Sequence, residues 1–230
     1  MNRTFFAVAA LAFVLLGAPS AAEPTPAPSS RPSQQVEMSL GYVFDGHASL
    51  RAGMKQIYNR KDGGESVYFG EDFGFFHSTC GSRAFCNNVG GHDTDLRLGV
   101  QVAEPDIFVG VGSGNFAGNG ASFSGLGFGI EKVPRGEKPL EAYGSVFLYP
   151  SATGSYSCPV TSTLCYAAPV SSTTDFRIMR YTLGAHFDLK GPFFADAGYA
   201  GDFGYPNSAS SLSPQTFTHS GLYLGLGFKM

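Results

Sequence analysis

Thr94-Asp95-Leu96-Arg97-Leu98-Gly99-Val100-Gln101-Val102 is the stretch on which the fold turns. In an extended chain successive side chains point to opposite faces. Thr94, Leu96, Leu98, Val100 and Val102 therefore share one face, and Asp95, Arg97, Gly99 and Gln101 share the other. The same period of two recurs in five more runs. Val36, Met38, Leu40, Tyr42 and Phe44 alternate with Glu37, Ser39, Gly41, Val43 and Asp45. Further runs occupy 140–149, 179–188, 193–200 and 221–228, and weaker ones lie near 49–58, 65–72, 106–112 and 122–131. No window of helical length carries a Gly-free apolar stripe at i, i+3, i+4, i+7, so the chain reads as all-β with ten strands. Merging the first two runs around Gly46 gives the alternative, eight strands with longer loops.

Composition excludes several classes. Charged residues are only 14 % of the 230 and glycine reaches 31, about twice its usual share. The 21 Phe and 11 Tyr supply more apolar surface than a disordered chain carries. Fifteen Lys and Arg against 18 Asp and Glu leave a net charge of −3, with no basic excess for nucleic acid. Glycine-rich segments 110–114 and 125–129 precede no helix, so they read as strand glycines rather than phosphate loops.

The chain opens with an export signal. Arg3 supplies the positive region, Phe5 to Leu16 the apolar run, and Ser20-Ala21-Ala22 small residues for cleavage. Gly17 and Pro19 stop the run short of the ~20 residues a spanning helix needs. Residues 1–22 are thus expected to be a signal peptide, 23–35 a Pro/Ser-rich leader, and 36–230 the folded body.

Connection lengths carry the next step. Links near 60–64, 104–105, 133–139 and 190–192 are tight, whereas 77–92, 113–121, 150–174 and 203–215 are long, apart from a short first link at Gly46. Short turns at one end, long loops at the other and an even strand number are the habit of barrels that span a bacterial outer membrane. In such a closed barrel the Leu/Val/Phe face meets lipid and the charged face turns inward, with no unpaired backbone edge. On these runs, and on the closing segment Ser220-Gly-Leu-Tyr-Leu-Gly-Leu-Gly-Phe-Lys-Met230, the body resembles small bacterial outer-membrane β-barrels of the OmpA/OmpX-like kind. The resemblance implies a closed antiparallel transmembrane barrel over 36–230, handled by the barrel-assembly machinery through its final strand. Members commonly finish on an aromatic residue, whereas this chain ends in Met230 with Phe228 on the same face. Outer-membrane lipid is the expected surrounding, the barrel is expected to be a monomer, and any extracellular ligand is left open by the sequence.

Parity places Glu37, Arg51, Lys55, Asp95, Arg97, Glu141, Arg180, His186, Asp196 and Asp202 inside the tube. Acids and bases nearly balance there, and a ten-stranded lumen is close to the size that side chains fill, so a charge-paired plug is expected. Cys80 and Cys86, like Cys158 and Cys165, sit as close pairs in long loops; an exported chain meets an oxidising compartment, so a disulfide within each pair is expected. Neither pair has the spacing of a zinc site. The expected function is non-enzymatic: an integral outer-membrane barrel with disulfide-bearing extracellular loops, serving envelope integrity or surface contact, without cofactor, metal or catalytic residue. Two alternatives stand beside it. One is a narrow porin-like channel. The other is a barrel enzyme, either omptin-like, using Asp93, Asp95, Asp202 and His219 near the mouth, or lipid-modifying through His219 and Ser220, although the adjacent pair points to opposite faces.

Overall fold

A computed structural model describes residues 34–44, 48–59, 65–78, 89–103, 106–118, 121–135, 138–156, 172–207 and 217–230. Ten antiparallel strands make a single closed barrel: β1 (Gln34–Phe44), β2 (Ala48–Tyr58), β3 (Val67–Ser78), β4 (Val89–Ala103), β5 (Ile107–Gly118), β6 (Ala121–Lys132), β7 (Leu140–Tyr156), β8 (Ser172–Asp188), β9 (Phe193–Pro206) and β10 (Phe217–Lys229). Every strand pairs with its neighbour in sequence, and β10 closes the ring on β1. The eight-strand alternative is thereby removed, because β1 and β2 are separate and pair from Gln34↔Tyr58 to Phe44↔Ala48. β1 also takes in Gln34 and Gln35, ahead of the expected start at Val36.

Alternation in sequence becomes inside and outside. The exposed face carries Leu126, Leu226, Leu222 and Val111, which are 77, 66, 64 and 61 % exposed. A face this apolar and this open is what hydrocarbon, not water, would solvate. Toward the upper end of the taller strands the outward residues turn polar: Asn115, Ser124, Thr153, Asp175 and Arg177. Chain positions 34 and 230 lie at the lower end, where Val36 and Met230 exchange backbone hydrogen bonds.

Stagger sets the width. Following paired residues once round from Val36 leads through Gln56, Phe69, Leu98, Val111, Phe128, Leu148, Met179 and Phe203 to Thr218. Val36 itself faces Met230, twelve residues beyond Thr218 and just past the end of β10. A stagger slightly larger than the strand number gives the usual ~40° tilt and a lumen only a little wider than side chains fill.

Three expectations need correction. The segment 113–121 is no long loop: β5 runs to Gly118 and β6 starts at Ala121, paired with it, so only Asn119-Gly120 lies between. Asn-Gly between paired strands is a hairpin signal in its own right, masked here by the Gly and Ser around it. Likewise β7 and β8 consume both ends of the expected 150–174 loop, leaving 157–171. Loop length therefore sorts by end less cleanly than expected, since two upper links are tight and 59–66 and 133–139 are the longer lower ones. Finally, the weak run near 65–72 does not end there: β3 keeps register with both neighbours from Val67 to His77. The irregular steps lie at Gln101/Ala103, Ser124/Phe128 and Tyr149/Ala152.

Candidate functional site: a charged plug across the lumen

The inward residues of β2, β3, β4, β6, β8 and β9 meet in the middle of the tube. Arg180 on β8 reaches the opposite wall, with Nη2 2.9 Å from Asp93 Oδ2 and Nη1 3.7 Å from Asp95 Oδ2. Its Nε donates to Asp202 Oδ1 at 2.7 Å. The other oxygen of Asp202 accepts from Arg51 Nη2 at 2.9 Å. Tyr149 on β7 donates its hydroxyl to Asp95 Oδ1. Asp95 is fully buried, so a neutral partner alone would leave its charge poorly compensated; the guanidinium groups of Arg180 and Arg97 supply the rest.

A second layer is centred on Arg97. It pairs with Asp72 on β3, and its Nη1 donates to Glu131 Oε2 at 2.8 Å. Lys55 Nζ lies 2.5 Å from Glu131 Oε1, which links β2 to β6 across the bore. The two layers together hold Arg51, Lys55, Arg97 and Arg180 against Asp72, Asp93, Asp95, Glu131 and Asp202. That near balance lets the charges satisfy one another without a mobile counter-ion.

Aromatic rings fill what the ion pairs leave. Arg97 lies over the Phe147 ring, 5.2 Å from its centre, and Tyr68 packs edge-on against Phe108. Small inner positions make room for them. A Cβ at Gly127 would come within 2.7 Å of the Tyr149 ring, and one at Gly99 would strike Tyr68. Several inner glycines therefore keep space for aromatic rings inside the tube.

At the lower end three turns are tied into a floor. Arg135 Nε lies 2.9 Å from Asp106 Oδ1, and its Nη1 donates to Asn59 Oδ1 at 2.9 Å. Gln101 Nε2 also donates to Asp106, whose φ of 53° puts a non-glycine residue in the left-handed region. Glu141, expected in the lumen, instead accepts the backbone N–H groups of Arg135 and Lys138 and so braces the β6–β7 connection. Beside this floor His186 is 1 % exposed and hydrogen-bonds Asp196 through Nδ1 at 2.8 Å, while Asp188 pairs with Lys229. A cavity of about 90 Å³ lies between the plug and this cluster, bounded by Arg180, Arg97, Lys55, Glu37, His186 and Asp196.

Nine of the ten residues placed inside by parity thus line the lumen, and Glu141 serves a turn. Asp93, Asp95 and Asp202, the acids of the omptin-like alternative, converge on Arg180. His219 pairs with Asp202 along the β9–β10 ladder, and its side chain lies outside the described residues. The four cysteines and residues 1–33 also lie outside them. Sequence reasoning missed Asp72 and Glu131, the last residues of two weak runs. Parity through Gly125, Gly127 and Gly129 points to Glu131, and the pairing Asp72↔Asp95 puts Asp72 beside the same network.

This is a plugged ten-stranded barrel. No family model matches the chain, and no curated protein matches it. Solved structures similar to it include the N-terminal β-barrel domain of Pseudomonas aeruginosa OprF, at 14 % identity and a TM-score of 0.30, covering 86 % of this chain and 96 % of that one. Another is OmpT, an outer membrane protein of Vibrio cholerae, at 11 % identity and a TM-score of 0.35; the match covers 86 % of this chain but 61 % of that one. A third is a major outer membrane protein from Thermus thermophilus, at 11 % identity and a TM-score of 0.30, covering 86 % of this chain and all of that one.

Proposed function

We propose that this chain is an integral barrel of a bacterial outer membrane, sealed along its axis by its own side chains. Its role is non-enzymatic, in envelope integrity or in surface contact through the upper loops. Residues 1–22 direct export, and Cys80 with Cys86, and Cys158 with Cys165, brace two of those loops as disulfides. The observation that carries the reading is the pair of ion layers joining opposite walls, β4 to β8 through Arg180 and β2 to β6 through Lys55 and Glu131. An open aqueous pore needs a bore that side chains do not bridge. The apolar exposed face supports the membrane location, and Asp93, Asp95 and Asp202, the acids of the omptin-like alternative, are engaged by Arg180.

Planar-bilayer recording tests the seal. The full chain is expected to give no stepwise current, whereas Arg97→Ala combined with Arg180→Ala is expected to conduct. Reproducible steps from the unsubstituted protein overturn the sealed reading in favour of a narrow channel. Mass spectrometry of the exported protein is expected to show loss of residues 1–22 and of two hydrogens per bridge relative to the reduced chain.

A further inference from the structure

Glu71 sits on the outward face of β3. Its ladder partners are Met54 on β2 and Leu96 on β4, and Phe69 and Phe73 flank it on its own strand. The register is unbroken on both sides, so Glu71 has no route to the lumen by a bulge. It lies four residues above the start of β3 and seven below its end. At a rise of ~3.3 Å and a tilt of ~40°, its carboxyl is about 10 Å from the lower rim, beyond the reach of its two methylenes. A lone carboxyl at that depth of an apolar belt is costly, and such residues mark functional contacts.

One base lies at the lower edge of the same belt, at the last position of β6. Lys132 is outward on β6, with Ile107 and Gly144 as ladder partners. Below the polar upper rim, Glu71 and Lys132 are the only charged side chains among the described residues on the outward face of the strands. Neither side chain has a hydrogen-bond or ion partner among those residues. They do not pair within one barrel: three strand spacings across and six residues along separate them, roughly 24 Å over the surface. Their heights nevertheless nearly match. The row of paired residues from Glu71 runs through Leu96 and Ser113 to Leu126, six residues above Lys132. A twelve-residue stagger over ten strands raises that row by about 3.6 residues across three strands, so Lys132 lies only about 6 Å below Glu71 along the axis. A lysine stem spans that difference.

We propose that Glu71 of one copy pairs with Lys132 of a second copy standing in the same orientation in the membrane. The inference rests on the reading of the exposed face as lipid-facing, and it replaces the expectation of a monomer. The occupant is a second copy because it carries the missing opposite charge at the matching height. A direct ion pair relieves the desolvation of Glu71 in the apolar belt, and Lys132, at the lower edge of that belt, reaches it along its stem. The contact is heterologous, β3 of one barrel against β6 of the next, so each copy keeps one donor and one acceptor face, and the assembly grows into a ring or an open array.

The test uses the full chain refolded into lipid bilayers, with copies per assembly counted by single-molecule photobleaching across protein-to-lipid ratios. Heat-modifiable gel migration confirms a folded barrel in each variant. The unsubstituted protein is expected to self-associate, and Glu71→Gln or Lys132→Gln to weaken association by about tenfold or more. Glu71→Lys and Lys132→Glu are each expected to do the same, and their combination to restore assembly. A folded, heat-modifiable monomer at every ratio overturns the pairing while leaving the barrel reading intact. So does assembly that depends on Glu71 but ignores Lys132, which means that the carboxyl meets another group. A protein that shows no heat shift and stays in the soluble fraction overturns the lipid-facing reading, and the pairing with it.

Discussion

Replacing Arg180 by alanine puts the largest load on the plug. Its guanidinium is 4 % exposed and serves three acids on two walls, at 2.9 Å for Asp93, 2.7 Å for Asp202 and 3.7 Å for Asp95. Asp202 keeps Arg51, and Asp95 keeps Tyr149 and the nearby Arg97. Asp93 loses the one ion partner described for it. Removing one side of a buried pair costs about 3–5 kcal/mol, because the remaining charge stays desolvated. Arg180→Ala is expected to fall in that range, with Asp93 as the chief contributor. The variant Asp93→Asn in the Arg180→Ala background removes the stranded charge and is expected to recover about 1–3 kcal/mol. The chain contains no tryptophan, so unfolding in guanidinium is best followed by the heat-modifiable gel shift and far-ultraviolet circular dichroism. A loss below about 1 kcal/mol for Arg180→Ala, or no recovery on adding Asp93→Asn, refutes the account of the plug as a mutually dependent ion network.

Other substitutions probe other parts. Tyr149→Phe withdraws the hydroxyl from buried Asp95 and is expected to cost about 1.5–3 kcal/mol in the same unfolding assay. Gly127→Ala drives a methyl toward the Leu148 carbonyl and the Tyr149 ring, and a loss of about 1–3 kcal/mol is expected. Leu224→Arg, in the middle of the outward apolar face, is expected to lower refolding stability in bilayers by about 2–4 kcal/mol, while Asn115→Arg at the polar rim costs about 0–1. Equal costs at those two positions mean that the face does not meet hydrocarbon. Arg135→Met unties Asp106 and Asn59 and is expected to cost about 1–3 kcal/mol and to raise hydrogen exchange in the three lower turns before the strands.

Much of the barrel is legible in the alternation because inside and outside differ in kind: Leu96 and Leu98 face out while Asp95 and Arg97 face in. Strand ends are less legible. The segment Ser113-Gly-Asn-Phe-Ala-Gly118 has the composition of a loop, yet pairing with β4 and β6 holds it extended. Local preference there yields to neighbours that the sequence does not reveal one strand at a time. The partners of the plug are hidden for a related reason. Parity tells that Arg180 points inward, but only the summed register of the ring brings it level with Asp93 and Asp95 on the far wall. Glu141 shows the opposite limit, since its parity is right and its partners are the backbone of a turn just before its own strand.

The seam between β1 and β10 sets the order in which the barrel can be made. Nine of its ten strand pairings join neighbours in sequence and can form as successive hairpins. The tenth joins Val36 to Met230 and closes a loop of nearly the whole chain. Contacts of such long range form late, because the entropy of closing the loop must be met before they contribute. Until the seam closes, the sheet has two bare edges and the inner face with its acids and bases lies open. In lipid, neither would find partners. If the outward face meets lipid, as proposed, closure has to precede or accompany full insertion, and the rate at which this protein reaches its final state should depend more on the two outermost strands than on any residue of the plug.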